Sequence, residues 1–205
     1  MKKRLLMVCL LWIPVPALAQ FLGLPIADDA KAPTMGTTRI SAGGVQGDEF
    51  NLYGGRLSFA PIGRLALFAD VGAIDPDRGD LGFACQLGAQ FTLPLGQSRP
   101  VDVALRAAWD QARFDLDAGD VESSGFNAGV LVSREVKLFS PYAYLGLNFV
   151  DSEVKVKGGG KASDDSTDLA VAVGTLIRLA DPFALYVEFA HVDDPFVNFG
   201  GRWTF

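Results

Sequence analysis

The sequence predicts an all-β fold, an antiparallel up-and-down transmembrane β-barrel of ten strands, with eight as the alternative count. Three observations carry that reading. From about Thr34 onward the chain divides into runs in which apolar residues alternate with small or polar ones, the pattern of strands whose two faces meet different surroundings. The breaks between runs are rich in Gly, Pro and Asp, residues that favour turns for specific conformational reasons. The face opposite the apolar one holds Gly54, Gly72, Gly82, Gly88, Gly129, Gly146, Gly174 and Gly200 with scattered charges. That composition suits the crowded inside of a narrow barrel better than a water-exposed sheet.

The strands are expected over 35 to 46, 49 to 60, 65 to 75, 80 to 93, 101 to 114, 125 to 138, 142 to 155, 167 to 179, 183 to 192 and 196 to 205. Turn chemistry separates them at Gly47-Asp48, Pro61 to Arg64, Asp75 to Gly79, Leu95 to Pro100, Asp117 to Ser124, Ser140-Pro141, Lys157 to Ser166, Asp181-Pro182 and Asp193 to Pro195. An even strand number brings both ends of the barrel to one side, the periplasmic side for a bacterial barrel. The first strand is the weakest pattern, which is why eight remains the alternative.

Alternation is clearest in the fifth, eighth and ninth strands. Val101, Val103, Leu105, Ala107 and Trp109 share one face, and Asp102, Ala104, Arg106, Ala108 and Asp110 the other. Leu169, Val171, Val173 and Ile177 oppose Asp168, Ala170, Ala172, Gly174 and Arg178, while Phe183, Leu185, Val187 and Phe189 oppose Ala184, Tyr186, Glu188 and Ala190. The apolar face also sorts its aromatics by depth. Phe59, Phe91, Phe183, Trp203 and Phe205 fall toward one edge and Phe83, Trp109, Phe126, Phe149, Phe189 and Phe199 toward the other, as expected of two membrane interfaces.

Ahead of the strands, Lys2, Lys3 and Arg4 precede an apolar run from Leu5 to Leu18 that ends in the small-residue motif Ala17-Leu18-Ala19. This pattern reads as a secretory signal peptide over residues 1 to 19. Residues 20 to 34 are expected to form a periplasmic N-terminal arm, with entry into the lumen as the other placement open to Gln20 to Pro33. Residues 35 to 205 form the barrel. Removal of the leader leaves 15 basic against 24 acidic residues, which disfavours nucleic acid as a partner. Cys85 is then the one remaining cysteine, so an internal disulfide is ruled out for the mature chain.

The final strand ends Phe199-Gly-Gly-Arg-Trp203-Thr-Phe205. An alternating strand closing on an aromatic residue resembles the terminal signature of Gram-negative outer-membrane barrels, and Phe199, Trp203 and Phe205 occupy its positions. The pattern as a whole is similar to small barrels of the OmpA and OmpX type. That resemblance implies an outer-membrane location, insertion by the outer-membrane assembly machinery, contact with outer-membrane lipid and lipopolysaccharide, and a monomeric state. It also implies a role in adhesion, envelope stabilisation or limited permeation, but no family loop motif is matched.

The nearest approach to a functional constellation is a set of inward charges: Arg56, Asp70, Asp102, Arg106, Asp110, Arg178, Glu188 and Arg202. A tight turn at 61 to 64 sets Arg56 opposite Asp70. Similar counts set Arg106 opposite Gly88 and Glu188 opposite Gly174, so that Arg106 and Glu188 reach middle depth as candidate partners. Such charges are expected to be paired, because an isolated buried ion costs several kcal/mol. No catalytic, cofactor or metal residues are assigned. His191-Val192-Asp193 superficially resembles the rim residues of omptin-type proteases, and more distantly the His-x-Ser portion of lipid A deacylases with Asp193 at the serine position. His191 nevertheless continues the outward series of Phe183 to Phe189, away from any lumenal substrate. Asp75 to Asp80 and Asp115 to Asp120 could hold a divalent cation but lack the EF-hand pattern, and Gly158 to Lys161 lacks the Ser or Thr of a phosphate loop. The expected function is a structural or surface-interaction role without enzymatic activity; the alternatives are a narrow pore for small solutes and, third, a barrel-embedded hydrolase.

Overall fold

The computed structural model describes residues 26–47, 50–77, 79–95, 100–116, 119–156, 159–192 and 195–205. The expected leader, the arm up to Pro25, Gln97, Asp117, Gly158, Asp193 and Asp194 lie outside the described residues. Ten strands follow in order. They are β1 (Thr38–Gln46), β2 (Phe50–Ile62), β3 (Leu65–Pro76), β4 (Asp80–Thr92), β5 (Asp102–Leu116), β6 (Gly119–Ser133), β7 (Phe139–Val156), β8 (Lys161–Ala180), β9 (Phe183–His191) and β10 (Pro195–Thr204). Each pairs antiparallel with its neighbour in sequence, and β1 pairs with β10 to close the barrel. Closure leaves no sheet edge unpaired, the condition under which strands can cross hydrocarbon. We call the end where β1 begins and β10 finishes the inner end.

The strand number and the inner turns after β2, β4 and β8 follow the sequence pattern, whereas the outer ends differ and the turn expected at Ser140-Pro141 falls before Phe139, both residues lying within β7. β6 starts at Gly119 rather than 125, and β8 at Lys161 rather than 167. These extensions carry Asp120, Glu122, Ser123 and Ser124 on β6 and Lys161, Ser163, Asp164 and Asp165 on β8. Being polar on both faces, they show no alternation, and their Asp, Ser and Gly content mimics a loop. At the other end of β6, Arg134 to Leu138 form a turn with Lys137 at φ 54° and a Val136–Phe139 bridge, so the strand stops short of the expected 138.

The outward face is an apolar belt with Leu57, Leu67, Val71, Leu87, Leu105, Val130, Leu145, Leu147, Val173 and Val187 exposed. Its upper boundary is sharp. Trp109, Phe126 and Phe149 are consecutive register partners across β5, β6 and β7, and the next outward residues above them are Gln111, Ser124 and Asp151. At the inner edge Phe183 and Trp203 pack with ring centroids 5.4 Å apart. A belt so edged is the lipid-facing surface of a transmembrane barrel.

The core lies in the lumen, where three tyrosines lie flat over glycines. Tyr186 covers Gly43 and Gly200, Tyr144 covers Gly129 and Gly146, and Tyr142 covers Gly174; a Cβ at any of these glycines would collide with the ring above it. Phe68 takes the space above Gly88 in the same way. The missing side chain of one strand is therefore the seat of a large ring from another. Gly200→Ala should overpack Tyr186 and destabilise the barrel by about 1–3 kcal/mol, read as a lower urea midpoint in detergent. Gly63→Ala, in the β2–β3 turn with nothing near its Cβ position, should stay within about 0.5 kcal/mol of wild type. In a Tyr186→Ala background the Gly200→Ala penalty should fall only in part, because the new Cβ still meets the backbone oxygen of Ala42.

Candidate functional site

Of the two placements open to the N-terminal arm, its described residues take the one inside the barrel. Ile26, Ala27 and Ala30 are fully buried, and the wall grips the segment through its backbone. Ile26 N and Ala27 N each donate to the Glu188 carboxylate at 3.2 Å. Ala30 N donates to Ser133 Oγ at 2.8 Å. In the other direction, Arg56 donates to Ile26 O, Gln90 to Asp29 O and Thr92 to Ala30 O. The arm's own acids meet the two arginines at the inner ends of β1 and β10: Asp28 Oδ1 accepts from Arg39 at 2.6 Å and Arg202 at 2.9 Å, and Asp29 lies 3.7 Å from Arg202. The segment enters the inner end because both its charges and its backbone groups find partners there.

Arg56 and Asp70 stand opposite each other on β2 and β3. The guanidinium grips the carboxylate with two bonds, Nε to Oδ1 at 2.6 Å and Nη2 to Oδ2 at 2.8 Å, the fork geometry that makes such pairs strong. Among the described residues Glu188 has no cationic partner. Its charge is met by four donors, the two arm amides, Tyr142 Oη at 2.8 Å and Asn198 Nδ2 at 2.7 Å.

Arg106 differs from its sequence expectation. It stands opposite Gln90 on β4, not Gly88, because the β4–β5 ladder is centred one residue further along than the count assumed. Gly88 accommodates Phe68, and Arg106 lies over that ring at 4.0 Å from its centroid, with Arg56 at 4.7 Å. Glu188 does stand opposite Gly174, but Tyr142 fills that space. Arg106 and Glu188 are thus not partners.

Above this layer Gln86, Asp110, Asn127 and Asn148 line the lumen, all buried. Beyond them Val45, Phe50, Leu52, Ile74, Phe114, Val121, Val192 and Phe196 form an apolar cluster at the outer end, with the Phe50 and Phe196 rings 5.5 Å apart. The remaining expected residues sit at the inner rim. Arg178 is partly exposed and bridges to Glu135 at 2.8 Å; Asp102 is half-buried and makes no ion pair among the described residues. Lys31 of the arm also bonds Glu135, at 2.6 Å, and these two cationic hydrogen-bond donors hold the Glu135 carboxyl below its usual range. His191 is exposed on the outward face. Asp80, Asp115 and Asp120 come opposite one another in register, but among the described residues no group of three acidic, His or Cys side chains is arranged to hold a metal. Phe199, Trp203 and Phe205 are all exposed on the belt.

Sequence reasoning missed Asp28, Asp29 and Arg39, which meet only once the arm folds inward, and the lumenal Tyr142, Tyr144 and Phe68. The last three were recoverable from parity, since Phe68 shares the face of Asp70 and the two tyrosines that of Gly146.

A closed antiparallel barrel with an aromatic-edged apolar exterior and a polar, filled interior belongs to the class of small outer-membrane β-barrels. Solved structures similar to it include the N-terminal β-barrel domain of Pseudomonas aeruginosa OprF, at 13% identity over 85% of this chain and 100% of that chain, TM-score 0.44. Ail, the attachment invasion locus protein of Yersinia pestis, is similar at 15% identity over 84% of this chain and 100% of that chain, TM-score 0.44. Neisserial surface protein A matches at 14% identity over 82% and 95%, TM-score 0.40. No protein-family model matches the sequence, and no curated relative matches it.

These contacts separate coupled from uncoupled charges. Arg56→Met alone should destabilise the barrel by about 3–5 kcal/mol by stranding Asp70, with Arg56→Met/Asp70→Leu losing much less than the sum of the two singles. Arg106→Ala and Glu188→Ala should instead add to within about 0.5 kcal/mol. Double-mutant cycles on urea unfolding in micelles make both comparisons.

Proposed function

We propose that this chain is an integral outer-membrane barrel whose role is structural or lies in surface interaction, and that in its resting form it is not a standing pore. The observation that carries the reading is the filled lumen, with the arm in the inner end and the Phe50–Phe196 apolar cluster in the outer end. With its interior so occupied, the protein meets its surroundings through the belt and the outer hairpins. Lipid and lipopolysaccharide are the partners the belt fits. The β7–β8 hairpin continues above the aromatic row through Asp151–Val156 and Lys161–Ser166, about six residues per strand. A chain of ion pairs braces it: Arg113–Glu122, Glu122–Lys155, Lys155–Glu153 and Glu153–Lys161. Exposed pairs of this kind add little stability, but they present a rigid charged surface outside the membrane. The outward His191 gives the hydrolase reading no lumenal base within reach of a substrate.

A gated narrow pore is the second reading. The arm leaves beside it a cavity of about 410 Å³, lined by Lys31, Arg39, Glu135, Arg178 and Arg202 among others, so its inner half rests against space rather than packed side chains.

In planar bilayers the purified wild-type protein should therefore show no steady conductance. Removing residues 26–33 together with Phe196→Ser should produce openings, and steady ion-selective openings of the wild type would favour the pore. In whole cells a tag at Gly159 should be labelled from outside and one at Gln97 should not. Labelling at Gln97 with Gly159 protected would invert the orientation.

A further inference from the structure

We propose that the cavity beside the arm at the inner end is a binding site for a small soluble oxyanion, a carboxylate or phosphate, held jointly by the arm and the barrel wall. The cavity measures about 410 Å³, within the range of roughly 300–1,000 Å³ usual for small-molecule pockets. Lys31 of the arm lines it together with Arg39 of β1, Arg178 of β8 and Arg202 of β10. Thr37 and Thr204 add two hydroxyls to the same lining.

Existing contacts draw these four cations together without exhausting them. Arg39 and Arg202 bond the same oxygen, Asp28 Oδ1, at 2.6 and 2.9 Å. Arg178 and Lys31 meet the two oxygens of Glu135, at 2.8 and 2.6 Å. Two carboxylates are thus shared among four cations. Of the other acids lining the cavity, Asp29 approaches Arg202 only to 3.7 Å, and Asp181 makes no ion pair among the described residues.

A guanidinium carries five N–H donors. Among the described residues that of Arg39 makes one hydrogen bond and that of Arg202 makes one, both to Asp28, and Arg202 Nε is buried without an acceptor. Arg178 donates to Ser140 at 3.4 Å besides meeting Glu135. Most donors of three arginines around one cavity are therefore left over. Guanidinium donors stand in a planar fork that matches the oxygens of a carboxylate or phosphate, and Asp28 already shows two of these arginines taking a carboxylate.

Because Lys31 belongs to the arm and the arginines to the wall, the site is complete only with the arm seated. An anion that touches both sides ties the arm down, so that seating and binding strengthen each other.

The test uses the whole protein in non-ionic detergent, with succinate and inorganic phosphate as probes and succinamide as the neutral counterpart. Titration calorimetry should show saturable binding of succinate or phosphate and none of succinamide. Succinate should also slow tryptic cleavage after Lys31 several-fold in the wild type. Arg178→Gln should weaken binding at least tenfold and Lys31→Gln several-fold, whereas Asp168→Asn, on β8 toward the outer end, should leave it unchanged. Lys31 and Arg178 are both partly exposed, so both variants should still assemble. A further arm of the experiment adds phosphatidylglycerol to the micelles. Binding seen with that lipid alone would assign the cations to a headgroup and overturn the soluble ligand. Absence of saturable binding by either probe, or binding undiminished in Arg178→Gln, would overturn the site and leave the cavity to water.

Discussion

Ten strands enclose more space than eight, whose interior wall side chains alone just fill, and most features of this molecule answer that constraint. The wall contributes glycines so that rings from neighbouring strands can lie across it, as Tyr186 does over Gly43 and Gly200. That removes bulk from one position only to seat a larger group there. The remaining space at the inner end is taken by the chain's own N-terminal segment, whose backbone is bonded from β2, β4, β6 and β9. A filler held through its amides and carbonyls is helped by small side chains where it passes the wall, and Ala27 and Ala30 are buried there beside Ile26, Asp28 and Asp29.

Filling with polar groups raises a second problem, because each charge in the lumen must be compensated away from bulk water. The protein answers it in several ways. Arg56 and Asp70 compensate each other directly across a two-strand register. Glu188 is compensated by neutral donors, two of which belong to the arm, so that its burial and the arm's seating are one event. Arg106 rests on the face of Phe68, where a guanidinium gains from the ring's electron density. Arg39 and Arg202 wait at the inner end for Asp28 and Asp29. The inner half of the barrel wall is therefore incomplete until the arm is in place.

A lumen so occupied moves the working surfaces outward. The β5 to β8 strands outlast the belt on the outer side, and their polar extensions, laced by Glu122 and Glu153 with Arg113, Lys155 and Lys161, are fully paired sheet rather than loop. An exposed sheet of this kind holds its charges in a fixed pattern that a flexible loop of the same composition could not.

By itself the sequence determined the closed antiparallel architecture, the lipid-facing side and the Arg56–Asp70 pair, because period-two alternation and a two-residue turn are local and leave one register compatible with the pattern. It favoured ten strands over eight, and the pairing of β1 with β10 decided the count. It left the outer ends of β6 and β8 illegible, since above the membrane both faces meet water and alternation vanishes. It also misplaced Arg106 by two positions along β4, because a longer connection does not set register as a tight turn does. The partners of Glu188 and the course of Ile26 to Pro33 were decided by the tertiary structure alone. Glu188 and the arm are distant in the chain and become neighbours only when the barrel closes, and no local pattern records which groups face each other across a lumen.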